Sequence, residues 1–334
     1  MKTEKHMVPM TRAIFCAVFI LLAACEKDAT TEDENGILVT EEAQDPNEET
    51  NTPVAEGNAN RDEAKALYET LYVASRTESG DVAWTGDEPA CDPGSVPQAT
   101  VDKIMNRLNY FRKAVGLHNT IALSAVKSEK AQRAALMMDA NNALEHNPPE
   151  SWKCYTADGN EAAGKSLLTT ARNSESIDSY LRDAGSSNGP VGHRRWLLWP
   201  RLQEIGIGNT SGANAIWVIG NAGSAPVDAP EFISWPPSGY APKQLIYPRW
   251  SFSLRNADFS GAQVSMQDSN GGNIALTVED LAGGFGDATL VWVPEGINTS
   301  ATDDVTYTVR ISNVDVSGEI KSFEYETVLF DVSR

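Results

Sequence analysis

Residues 101–146 read VDKIMNRLNYFRKAVGLHNTIALSAVKSEKAQRAALMMDANNALEH, and 192–198 read GHRRWLL. In the first stretch Val101, Ile104, Met105, Leu108, Phe111 and Val115 recur at helical spacing, and Gly116 supplies the stop. Ser124 is placed to cap a second helix that runs through Ala131, Ala135 and Met138 to about Leu144. Pro148 and Pro149 forbid helix just beyond His146. Working outward, Arg61 to Ala74 predicts a short helix, with Leu67/Leu71 and Tyr68/Tyr72 paired four residues apart. Ala162 to Ala171 predicts another, and Ser174 to Ala184 a third, with Ser174 as N-cap and Gly185 as stop. Ile205–Gly208 and Ala215–Gly220 are short apolar strands. Helices that come first and cover later strands make an α+β fold, here an α-β-α sandwich.

The pattern changes near Ala222. Residues 223–248 are rich in proline, including Trp235-Pro236-Pro237, and predict a linker or edge segment. Six strand signals follow, at Arg249–Leu254, Ala262–Met266, Ile274–Val278, Leu290–Val293, Tyr307–Ile311 and Phe323–Phe330. Tyr307, Val309 and Ile311 alternate with Thr308 and Arg310, giving one buried and one wet face. Short strands at this spacing predict an all-β, immunoglobulin-like sandwich over 249–334. Residues 64–222 would then form the α-β-α domain.

The first 25 residues are an address. Lys2, Lys5 and Arg12 precede a twelve-residue apolar run, Ala13 to Ala24, too short to span a bilayer and right for a signal peptide. It ends in Leu22-Ala23-Ala24-Cys25, which resembles a bacterial lipobox. That resemblance implies acylation at Cys25 and stable membrane anchoring. Residues 26–63 hold thirteen Asp or Glu, two basic residues and no aromatic, the composition of a disordered acidic tether. The expected location is therefore the bacterial cell envelope, periplasmic or at the cell surface, with the membrane as a partner.

Composition excludes some functions. With 46 acidic against 27 basic residues the formal charge is -19, so the surface repels phosphate backbones and nucleic acid is not an expected partner. Four cysteines fit neither a disulfide-dense scaffold nor a zinc finger. With Cys16 in the removed segment and Cys25 acylated, Cys91 and Cys154 remain, and an exported chain would join them. No His-Glu-x-x-His, Gly-x-Ser-x-Gly, phosphate loop or dinucleotide fingerprint is present, so no catalytic residue is assigned.

Three histidines lie beyond the signal segment. His118 follows a helix end and reads as a surface or capping residue, whereas His146 and His193 sit in glycine- or proline-fixed turns. Glu161 and Asp183 are carboxylates available nearby in sequence. The run from about Val101 to Ile219 resembles the CAP superfamily of cysteine-rich secretory, antigen five and pathogenesis-related proteins. Leu108-Asn109-Tyr110-Phe111-Arg112 is similar to its first helix, and Leu144-Glu145-His146 to the segment that delivers its first histidine. Asn160-Glu161 stands where the family has Gly-Glu-Asn-Leu, Tyr180-Leu181-Arg182-Asp183 resembles its Trp-x-x-Glu, and Gly192-His193 its Gly-His signature. The resemblance implies a cleft lined by His146, Glu161, Asp183 and His193, which in some members holds a divalent metal such as zinc. Two departures bear on that implication: Arg194-Arg195 replace the family's Thr-Gln, and the second acid is the shorter Asp. The expected function is an anchored protein binding a small ligand, lipid or envelope component in this cleft. The alternatives are a metal-assisted, protease-like hydrolase and a structural envelope lipoprotein.

Overall fold

The computed structural model describes residues 57–77, 83–220 and 222–334. The signal segment, the lipobox and most of the acidic tether lie outside them. Among the described residues no helix is long and apolar enough to cross a membrane.

Description begins inside the stretch expected as tether, and residues 57–63 belong to the fold. Asn58 bridges Gly239, and the Asn60 side chain caps α1 (Arg61–Leu67) by accepting from the N–H groups of Asp62 and Glu63. Those two acids read as tether composition, but a helix N-terminus is where the backbone dipole favours them. A π-helical segment, Tyr68–Val73, continues α1 and stacks Tyr68 on Tyr72, ring centroids 4.9 Å apart. Next come α2 (Gln98–Ala114), β1 (Ala122–Leu123), α3 (Ala125–Asn141), α4 (Ala157–Ala163), β2 (Ser166–Thr169), α5 (Glu175–Arg182), α6 (Gly192–Leu197), β3 (Glu204–Asn209) and β4 (Asn214–Trp217). The predicted helix over 162–171 is thus replaced at its centre by a strand, β2, with only Ala162 and Ala163 helical. Alanine supports the last turn of α4, but Leu167 and Leu168 are adjacent and face opposite cores, which only a strand between two layers allows.

The first sheet has the order β1-β3-β4-β2, parallel at β1–β3 and antiparallel elsewhere. One face packs Ile205, Ile207, Ile216 and Leu167 with Ile104, Leu108 and Phe111 of α2 and Ile177 and Leu181 of α5. The other packs Ala215, Trp217 and Leu168 against Ala131, Ala135 and Met138 of α3. Glycine lets α3 lie almost on the sheet. A Cβ at Gly206 would stand 2.4 Å from the Lys127 backbone, and one at Gly208 2.1 Å from the Ala131 carbonyl oxygen. Ser128 accepts the Ile207 N–H at 3.0 Å, and Gln132 bonds both the N–H and the C=O of Asn209. Side chains of α3 thereby continue the ladder where the two-residue β1 stops. The Cys91–Cys154 disulfide is formed, with Cα atoms 5.1 Å apart, and ties the loop before α2 to the loop before α4.

Residues 223–248 are not a linker. They supply β5 (Phe232–Trp235) and β6 (Gly239–Pro242), each at the edge of its sheet, where proline is tolerated. The remaining strands are β7 (Trp250–Leu254), β8 (Ala257–Asp258), β9 (Gln263–Asp268), β10 (Leu276–Val278), β11 (Ala288–Pro294), β12 (Val305–Val316) and β13 (Glu319–Phe330). One sheet runs β10-β11-β7-β5; the other runs β6-β13-β12-β8, with β9 also paired to β12. Their inner faces share one core that includes Trp250, Phe252, Trp292, Val309, Ile311 and Tyr325. This is the predicted sandwich. Trp250 and Trp292 are 0% exposed and belong to this core.

Candidate functional site

Helix α5 ends where Asp183 takes the left-handed conformation (φ 49°), which turns its side chain toward the start of α6. Its Oδ2 accepts the His193 backbone N–H at 2.8 Å, and its Oδ1 lies 2.8 Å from His193 Nδ1. The carboxylate is fully buried while the imidazole is 22% exposed. Asp183 therefore serves as the N-cap that α6 lacks locally, since Val191 at the cap position has no side-chain acceptor. The same contact fixes the ring. With Nδ1 held by Asp183, Nε2 is the nitrogen left for chemistry. The Tyr180 ring stands 5.4 Å away.

His146 and Glu161 have their partners around α4. His146 Nδ1 lies 2.9 Å from the Ala163 carbonyl oxygen. Glu161 Oε2 accepts from Lys130 at 2.6 Å and Oε1 from Lys165 at 2.8 Å. Lys130 first, then Lys165, draw the Glu161 carboxyl down to about 2. Asp183 and His193 thus bond each other, while His146 and Glu161 each bond other partners. Among the described residues no group of three or more His, Cys, Asp or Glu side chains could hold a metal ion. The donor set as placed does not fit a divalent cation, because both carboxylates already have cationic or N–H partners on each oxygen. His118 is exposed, as expected.

The two arginines after His193 fasten the domains together. Arg194, 1% exposed, donates from Nε to the Leu181 carbonyl (2.7 Å) and from Nη1 to the Arg249 carbonyl (2.9 Å) and Ser251 Oγ (3.1 Å). Arg195 donates to the carbonyls of Ala282 and Asp287. Arg249 returns the contact, bonding the carbonyl of Asp183 and the side chain of Glu279. Gly192 lies beneath Phe285, where a Cβ would be 2.7 Å from the ring. Arg112 of α2 completes the frame, its guanidinium bonding the carbonyls of Leu197 and Trp199 at the end of α6.

The family model of the cysteine-rich secretory protein family, CAP, matches residues 105–220, about a third of the chain. This region belongs to the CAP family. The match spans α2 to β4 and includes all four cleft positions, whereas the β-sandwich lies beyond it. A search of curated proteins found no match. In this CAP domain, then, the residues after the Gly-His signature are given over to gripping a second domain.

A second feature escaped the sequence reading. A cavity of about 670 Å³ opens between the helices of the CAP domain and residues 244–247 of the segment expected as linker. Arg107 and Asp178 form a buried ion pair in its wall, and Tyr72 donates to Asp178 at 2.9 Å. The Arg107 guanidinium lies 3.9 Å from the Tyr72 ring centre. Burial is the largest influence on Asp178 and pushes its carboxyl up, against the opposing pull of Arg107. The available signal was Arg107 itself, a charge on the α2 stripe shared with Ile104, Leu108 and Phe111.

Proposed function

We propose that this protein is a lipid-anchored, extracytoplasmic binding protein whose CAP domain takes a small ligand without turning it over. The supporting observation is the use made of the acids at the cleft positions: Asp183 caps α6 and Glu161 bridges two lysines. Groups held this way fix loops, and they are poorly placed to ligate a metal or move a proton. A hydrolase is the second reading, favoured by one contact. A buried carboxylate on Nδ1 orients an imidazole as a general base, and Asp183 makes that contact with His193.

The test uses the full chain purified in detergent. Equilibrium dialysis against zinc should leave substoichiometric metal, and casein or a p-nitrophenyl ester should not be cleaved in a His193-dependent way. Stoichiometric zinc lost on replacing both His146 and His193 with Ala, or hydrolysis abolished by His193→Ala, would overturn the reading. The anchor is tested separately. Wild type should enter the detergent phase of a two-phase extraction and Cys25→Ala should not; an unacylated mature N-terminus would refute it.

A further inference from the structure

We infer that the cavity between the CAP helices and residues 244–247 binds a small organic monocarboxylate, gripped by Arg182 and the hydroxyl of Tyr247. The inference rests on the binding reading above and places the ligand in a cavity whose lining does not include His193. The volume of about 670 Å³ falls in the range of small-molecule sites and is far larger than an inorganic ion needs. Tyr247 is 6% exposed and lines the cavity, yet among the described residues its hydroxyl has no hydrogen-bond partner. A buried, unmatched phenol is costly unless something outside the chain satisfies it. Burial pushes its pKa well up, so the group remains a protonated donor. Beside it, Arg182 lies over the Tyr247 ring at 5.7 Å and, among the described residues, has no carboxylate within ion-pair distance.

Charge and shape narrow the ligand. Arg76, Arg107 and Arg182 face Glu175 and Asp178 around the cavity, so the site is one charge positive on a chain of -19. That balance suits a monoanion and disfavours a phosphate dianion, which would meet two carboxylates. An arginine fork beside a phenolic donor matches the two oxygens of a carboxylate. Tyr68, Tyr72 and Leu245 give the rest of the wall an apolar, aromatic character that accepts a ring-sized body. The π-helical segment that presents Tyr68 and Tyr72 is a backbone irregularity of the kind often found at functional sites.

Phenylacetate is the probe, with phenylacetamide as its neutral isostere and phenyl phosphate as the dianion. Binding to the full chain is read by saturation-transfer NMR and calorimetry. Phenylacetate should bind at about 10 mM or tighter, and each control about tenfold or more weakly. Arg182→Ala should weaken phenylacetate at least about tenfold and Tyr247→Phe about fivefold, the scale of a lost charged and a lost neutral hydrogen bond. Tyr247→Phe removes only an unpartnered hydroxyl, so its melting temperature should equal or exceed wild type, which separates lost binding from lost fold. Absence of phenylacetate binding, equal affinity for the amide, or indifference to both variants would overturn the inference. None of these results bears on His193-dependent hydrolysis, so the broader reading stands or falls separately.

Discussion

Replacing Arg194 with Met keeps an aliphatic stem of similar length but removes the guanidinium that joins the CAP domain to β7. Three hydrogen bonds from a charged donor disappear, each worth roughly 1.5–3 kcal/mol. Part of that gain already offsets burial. Burial is the largest influence on Arg194 and lowers its pKa to about 10, a drop from 12.5 equivalent to roughly 3 kcal/mol. Among the described residues, Nη2 is also buried without a partner. The net loss expected for Arg194→Met is about 2–5 kcal/mol, or roughly 5–15 °C in melting temperature for a fold of this size. Arg249 and Ser251 belong to the start of the sandwich, so the variant should also unfold in two calorimetric steps where wild type shows one. Arg310→Met is the control: Arg310 pairs with Glu324 on the surface and should cost less than about 1 kcal/mol. Urea and thermal unfolding of both variants decide the matter. An Arg194→Met protein that melts in one step, as close to wild type as the control, would refute the view that this arginine joins the domains.

Two further predictions concern stability. Glu161 has its carboxyl lowered from 4.5 to about 2 by Lys130 and Lys165, so its contribution is complete above about pH 4.5 and fades as pH falls toward 2. A Glu161→Gln variant should be less stable than wild type at pH 6, with the gap closing below pH 3; a pH-independent gap would contradict the assigned ion pairs. Reducing Cys91–Cys154, or replacing both with Ser, releases a loop of 63 residues and should cost about 4 kcal/mol in the chain-entropy account. Free-thiol titration of the unfolded, unreduced protein should find neither Cys91 nor Cys154 reactive.

Period and punctuation made most of the framework legible. The α2 stripe and its Gly116 stop, the Ser124 cap and the alternation in β12 all appear where the residues place them. Misreadings arose where tertiary packing overrode local preference. Residues 166–169 follow an alanine-rich turn, and only the need to fill two cores at once makes them a strand. Residues 223–248 carry the prolines of a linker, yet edge strands tolerate them. The cleft was legible as residue types and not as geometry. The family resemblance implied that His146, Glu161, Asp183 and His193 line one cleft, but the pairing of Glu161 with Lys130 and Lys165 is not legible in the linear order. The acids at 62 and 63 looked like more of the tether because composition does not distinguish a solvated charge from a helix-capping one.

The clasp around α1 bears on mechanics. Arg61 bonds the carbonyls of Asp331 and Arg334 and lies over the Phe330 ring, Lys65 also reaches Arg334, and Asn58 pairs with the first residue of β6. A tension entering the fold at residue 57 would therefore be borne first by contacts with β6 and the end of β13, before any load reached the CAP sheet. Those contacts are several and lie side by side, so they would resist as a sheared patch and not open one at a time like a zip. Under the lipid anchoring proposed above, such a fastening would keep drag on the folded body from peeling away α1 and the Tyr68–Tyr72 wall of the cavity behind it. Pulling from that end in a force spectrometer should show the first rupture at a lower load in Arg61→Ala than in wild type; equal rupture forces would place the load elsewhere.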